Sequence, residues 1–127
     1  MRFAKVVFRV AGLWGIVVLI PLYFLVDLTG RQYPAPTDYP QFFYGFLSVA
    51  MAWQIAFLVI GSNPARFRPL MIPSILEKLG HIGGVAVLYG HGRLSVADAT
   101  AAHVPDLLLA VLFLVAFTMT PKFTLAG

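Results

Sequence analysis

Four long apolar stretches separated by short polar connections organise this chain. Residues 10–26 carry no charge, and neither do residues 41–60. Residues 70–89 are interrupted by Glu77, Lys78 and His81, and residues 104–120 hold only Asp106 near their start. A bilayer core of ~30 Å takes about 20 helical residues. The pattern therefore predicts an all-α fold, an integral membrane four-helix bundle forming one domain over 1–127. Its spans fall at about 4–26, 41–61, 70–89 and 104–120, and both termini lie on the same side.

The breaks between stretches have local causes. Pro21 is expected to bend the far end of the first helix, and Asp27–Gly30 to stop it. Pro34, Pro36 and Pro40 keep the next connection extended. Tyr33, Tyr39, Phe42, Phe43 and Tyr44 crowd that edge as interface anchors. Gly61-Ser62-Asn63-Pro64 reads as a stop and a new start, with Asn63 as N-cap. Pro69 and Pro73 leave the start of the third helix open. Gly90-His91-Gly92-Arg93 makes a turn, and Ser95-x-x-Asp98 is a capping box that predicts a short helical piece before Pro105. Pro121 ends the fourth helix.

Composition agrees with a membrane setting. The chain is 60% hydrophobic and 11% charged, with mean hydropathy +0.86, whereas soluble proteins run near ~25% charged. The net charge of +4 comes from residues scattered along span edges, which argues against nucleic acid. The lack of cysteine excludes disulfides and thiolate chemistry. The basic N-terminus followed by an apolar run resembles a signal peptide, but the run is long and no small-x-small site follows, so an uncleaved first helix is expected. Arg2, Lys5, Arg9, Arg66, Arg68 and Lys122 share one side, against Arg31 and Arg93 on the other. The positive-inside rule then predicts a multi-pass protein of the bacterial inner membrane with cytoplasmic N- and C-termini.

Candidate chemistry gathers in the third stretch, because ionisable groups at membrane depth are costly and seldom kept without use. Glu77, Gly80, His81 and Gly84 follow i, i+3, i+4, i+7 and share one helix face. Gly80 and Gly84 would let a neighbouring backbone approach there. At about 1.5 Å per residue, Gln54, Arg9 and Thr118 fall at a similar level on the other helices. Arg9, Gln54, Glu77, His81 and Thr118 thus define a candidate polar pocket in the cytoplasmic half of the bundle. The alternative is structural: Glu77 pairs with Arg9 or Lys78, Lys78 snorkels, and His81 bonds a carbonyl. Arg66 and Arg68 read as basic residues on the membrane surface. Asp27, His91, Arg93, Asp98, His103 and Asp106 collect on the far side. They include metal-ligand types, but their spacing matches no known site, so no metal is expected.

Arg66-x-Arg68-Pro69, the run Leu76-Glu77-Lys78-Leu79-Gly80-His81 and the opening Asp106-Leu107-Leu108-Leu109-Ala110 resemble the DoxX-like group of small bacterial four-helix membrane proteins. Some members are subunits of quinone-linked oxidoreductases, so the resemblance implies an accessory role near a quinone. No cofactor follows from the residues themselves. The small multidrug transporters share the size but carry an essential carboxylate in their first helix, where this chain has only Arg9. Two functions are therefore expected to compete. One is a structural or accessory subunit, in a homo-oligomer or a larger membrane complex. The other is a small transporter or enzyme for a lipid-soluble substrate.

Overall fold

The computed structural model describes residues 2–29, 40–92 and 95–122, with side chains described except at 24–29, 40, 42–43, 98–99 and 101–103. Helix α1 spans Arg2–Thr29, α2 Pro40–Ser62, α3 Met71–Gly90 and α4 Val96–Met119, and a 3-10 turn covers Arg68–Leu70. Among the described residues there is no strand. The chain is an all-α integral membrane four-helix bundle. Arg2–Tyr23, Tyr44–Ser62 and Arg68–Gly90 are long and apolar enough to cross a membrane, and α4 contributes the shorter apolar stretch Val104–Met119. Tyr33, Tyr39, Pro34, Pro36, Arg31 and Arg93 lie outside the described residues.

Prolines interrupt the helices less than their positions predict. α1 continues through Pro21 and α4 through Pro105. Each proline removes one backbone donor, a loss that helices in a membrane tolerate when neighbouring groups re-satisfy the freed carbonyl. The separate piece expected before Pro105 is instead the opening of α4 itself. Asp106 consequently lies well inside a helix and not near its start. Pro69 and Pro73 occupy positions where no donor is lost, one in the 3-10 turn and one in the first turn of α3. Asn63 caps the connection: its Oδ1 accepts from the Arg66 backbone N–H at 3.3 Å.

The helices pair as two hairpins. α1 packs along α2 and α3 along α4, α1 also meets α4, and α2 and α3 barely touch. Gly92 closes the second hairpin at φ 72°, in the left-handed region where a side chain would strain the backbone. At the end where the chain begins, the bundle is solid. Phe8, Phe57 and Phe113 are fully buried there, with Phe8 stacked on Phe113 at 4.4 Å and Phe57 edge-on to Phe113 at 4.9 Å. Ala4, Val7, Ala11, Ile60, Met71 and Ala116 fill in around the rings. Toward the other end a smaller cluster, Leu19, Leu47 and Ala50, joins α1 to α2. Outward-facing Val17, Ile55, Leu76, Val111 and Leu114 remain exposed. So much apolar surface suits lipid and not water.

Close helix approach occurs on α1 and not on α3. A Cβ added at Gly12 would lie 2.8 Å from the Gln54 backbone oxygen, and one at Gly15 would collide with the Gln54 side chain. Gly80, Gly83 and Gly84 have nothing within 4 Å. The glycine-lined face of α3 is thus open, because α3 turns Met71, Ser74, Lys78 and Val85 inward instead. These two environments predict opposite outcomes. Gly12→Val should destabilise the bundle by about 2 kcal/mol through overpacking, whereas Gly80→Ala should be neutral or mildly stabilising through helix propensity. Thermal unfolding in detergent reads both.

Candidate functional site

Among the described residues Lys78 is the one buried charged side chain, at 6% exposure. Its position follows from the α3–α4 hairpin, since residues 78 and 106 each lie fourteen positions from Gly92 and so face one another. Lys78 Nζ donates to Asp106 Oδ1 at 3.2 Å and lies 3.4 Å from Glu77 Oε2. The Phe57 ring centroid is 5.4 Å away, so the ammonium rests on the aromatic layer. His81 Nε2 is 3.1 Å from Asp106 Oδ2. Both oxygens of Asp106 are therefore engaged by bases from α3. Glu77 is less complete: its Oε2 is buried and accepts no hydrogen bond among the described residues.

Removing ions from water costs several kcal/mol each, and mutual attraction repays this only when the pairing is close. The group holds together as a unit, in which each member makes the burial of the next affordable. Gln54, 4% exposed, borders it from α2 and donates through Nε2 to Ala50 O at 2.9 Å. Its side chain occupies the notch that Gly15 leaves in α1.

Above this polar floor is a cavity of about 260 Å³. Gln54, Glu77, Lys78, His81 and Asp106 form its polar part, while Trp14, Val18, Leu19, Leu22, Phe46 and Leu109 form apolar walls. A second depression of about 280 Å³ lies on the flank between α2 and α3, lined by Val49, Trp53, Leu76 and Gly80. It shares Phe46, Ala50, Glu77 and His81 with the first, so both sides of the Glu77–His81 pair border hollow space. Neither a family model, nor a curated protein, nor a solved structure matches the chain.

Of the residues that the sequence grouped, the fold brings together Gln54, Glu77 and His81. Arg9 does not join them; it is exposed, with its stem against Gly61 at the basic end. Thr118 is exposed and donates to Val115 O of its own helix. Lys78 does not snorkel, and Asp106 belongs to this cluster and not to a group on the far side. Of that far-side group, only His91 and Asp106 have described side chains. Arg66 is exposed, whereas Arg68 is half-buried and donates through Nε to Thr120 O at 2.8 Å and Phe117 O at 3.3 Å. Among the described residues no three His, Asp or Glu side chains are placed to hold a metal ion. The signal that identifies Asp106 is the hairpin register about Gly92.

The ion cluster makes its own prediction. Lys78→Met strands two partly buried carboxylates and should destabilise the protein by about 3 kcal/mol. Adding Asp106→Leu should recover at least half of that loss, because the chief unpaired charge goes with it. Chemical or thermal unfolding of the single and double variants in one detergent measures the difference.

Proposed function

We propose that this protein binds a lipid-soluble molecule whose polar head carries a hydroxyl group. The observation that carries this reading is Glu77, a lining residue of the cavity whose buried Oε2 has the Lys78 ammonium 3.4 Å away but accepts no hydrogen bond among the described residues. Buried acceptors are nearly always satisfied, and a ligand hydroxyl is a donor that would fit here. Ligand sites commonly have this composition, with apolar walls and a few convergent polar groups that fix orientation. The head would rest on Glu77 and His81, and the apolar body would lie along Trp14, Val18 and Leu22.

Access from the bilayer is the natural route for such a molecule. α2 and α3 barely touch, and the flank depression between them is lined by exposed Phe46, Val49, Leu76 and Gly80. A ligand dissolved in lipid reaches His81 and Glu77 from that side without passing through water. Isoprenoid alcohols, alkyl phenols and quinols have the required form. A quinol also accords with the quinone that the DoxX-like resemblance implies. An accessory subunit beside a redox complex would use the cavity in the same way, as a holding site.

The setting we propose is the bacterial inner membrane, crossed by all four helices. Arg2, Lys5, Arg9, Arg66, Arg68 and Lys122 would face the cytoplasm together with both termini, and this excess over Arg31 and Arg93 supports the orientation. The cavity then opens from the middle of the bundle away from the cytoplasmic aromatic layer.

Both tryptophans of the chain border the hollow space, Trp14 in the cavity and Trp53 in the flank depression. Intrinsic fluorescence therefore reports occupancy. Titrating the purified protein with a short-chain quinol under reducing conditions should give a saturable change. Glu77→Gln should weaken binding roughly 10- to 100-fold, the worth of a hydrogen bond to a charged acceptor. The O-methylated quinol should bind wild type as poorly as the quinol binds the variant. A titration that does not saturate, or an unaltered affinity in Glu77→Gln, would refute the reading.

A further inference from the structure

The basic end of the bundle holds a second hollow, unconnected with the chemistry of Glu77. It is a cleft of about 410 Å³ lined by Ala65, Arg66, Arg68, Pro69 and Lys122. Three of its five lining residues are cations. The chain has five acidic side chains, at Asp27, Asp38, Glu77, Asp98 and Asp106. None of them lies in the connection between α2 and α3 or beyond α4. All ion pairs among the described residues belong to Lys78 or His81. Arg66, Arg68 and Lys122 thus have no carboxylate partner among the described residues, and Arg2, Lys5 and Arg9 add positive charge at the same end of the bundle.

The cleft is also held in place. Arg68 is fixed on one edge, with Nε donating to Phe117 O and Thr120 O and its guanidinium carbon 3.9 Å from the Phe117 ring centroid. That leaves the four N–H groups of its two terminal nitrogens for another acceptor. Arg66 is positioned by the Asn63 cap on its backbone and stands 5.7 Å over Phe67. Its exposed side chain and that of Lys122 are free to close on an anion. A rigid arginine fork with two further cations matches a tetrahedral oxyanion, which accepts several charge-assisted hydrogen bonds at once. Leu70, Ile72 and Met119, each within three positions in sequence of a lining residue, are exposed and apolar.

We propose that this cleft binds the phosphate of an anionic phospholipid, with the headgroup between Arg66, Arg68 and Lys122 and the acyl chains along the neighbouring apolar surface. The site cements the α2–α3 connection to the end of α4, which Arg68 already joins through its hydrogen bonds to Phe117 O and Thr120 O. Bound lipid should therefore raise the unfolding temperature.

The test compares three probes on the full chain in detergent: phosphatidylglycerol, phosphatidylcholine and inorganic phosphate. Phosphatidylglycerol should raise the unfolding temperature of wild type, and phosphatidylcholine should not. The double variant Arg66→Gln/Lys122→Gln changes only exposed side chains and leaves the Arg68 hydrogen bonds intact. It should fold normally by circular dichroism and need about 25-fold more phosphatidylglycerol for the same shift, at roughly fivefold per cation near an anionic surface. An unchanged lipid response in the double variant, or an equal response to phosphatidylcholine, overturns the site. A shift by inorganic phosphate equal to that by phosphatidylglycerol at the same concentration assigns the cleft to free phosphate and overturns the lipid. Absence of such a shift supports the lipid.

Discussion

An ammonium buried between two carboxylates is the constraint from which the rest of this bundle follows. Lys78 sits at 6% exposure in a bundle whose described helices expose mainly apolar side chains along their length. It remains there because Asp106 arrives from α4 at 3.2 Å and Glu77 from its own helix at 3.4 Å. The pair fixes the register of the second hairpin. It also dictates what lies on each side of it. Below, Phe57 supplies a ring face to the cation and packs with Phe8 and Phe113 into a sealed layer. Above, the polar atoms prevent the helices from closing on a purely apolar seam, and a cavity remains.

The same arrangement separates two roles among the polar residues. Asp106 spends both oxygens on Lys78 and His81, and so serves the structure. Glu77 has an oxygen that faces Lys78 at 3.4 Å but accepts no hydrogen bond among the described residues, on a residue that lines both hollows, and this is what we propose a ligand uses. His81 belongs to both, bonded to Asp106 yet 39% exposed at its side chain, beside the flank between α2 and α3. The weak contact between those two helices is the geometric counterpart of this division. The α1–α2 hairpin is welded by Gly12 and Gly15 against Gln54 and Leu58, whereas α3 leaves Gly80, Gly83 and Gly84 bare.

The number and type of helices were legible in the apolar stretches, because length and charge-free composition suffice for that. Which residues meet was less so. Helices apolar on every side give periodicity little to report, and so Phe8, Phe57 and Phe113 carried no sign that they, and not Val10 or Val111, face inward. Glycine spacing was equally mute, since Gly12 and Gly80 differ only in what lies opposite. Gln54, Glu77 and His81 were found by depth along their helices. Asp106 was assigned elsewhere because Pro105 reads as a helix start, when in fact α4 runs through it. Depth alone also placed Arg9 and Thr118 in the group, but depth says nothing of direction around the helix.

The proposed role of Glu77 is to receive a lipid-soluble hydroxyl compound. Native mass spectrometry of protein extracted in mild detergent addresses it directly. Wild type should carry a neutral lipid-soluble adduct with a free hydroxyl, and Glu77→Gln, equally folded, should lose it while keeping any phospholipid adducts. Identical adduct spectra for the two proteins would contradict the claim.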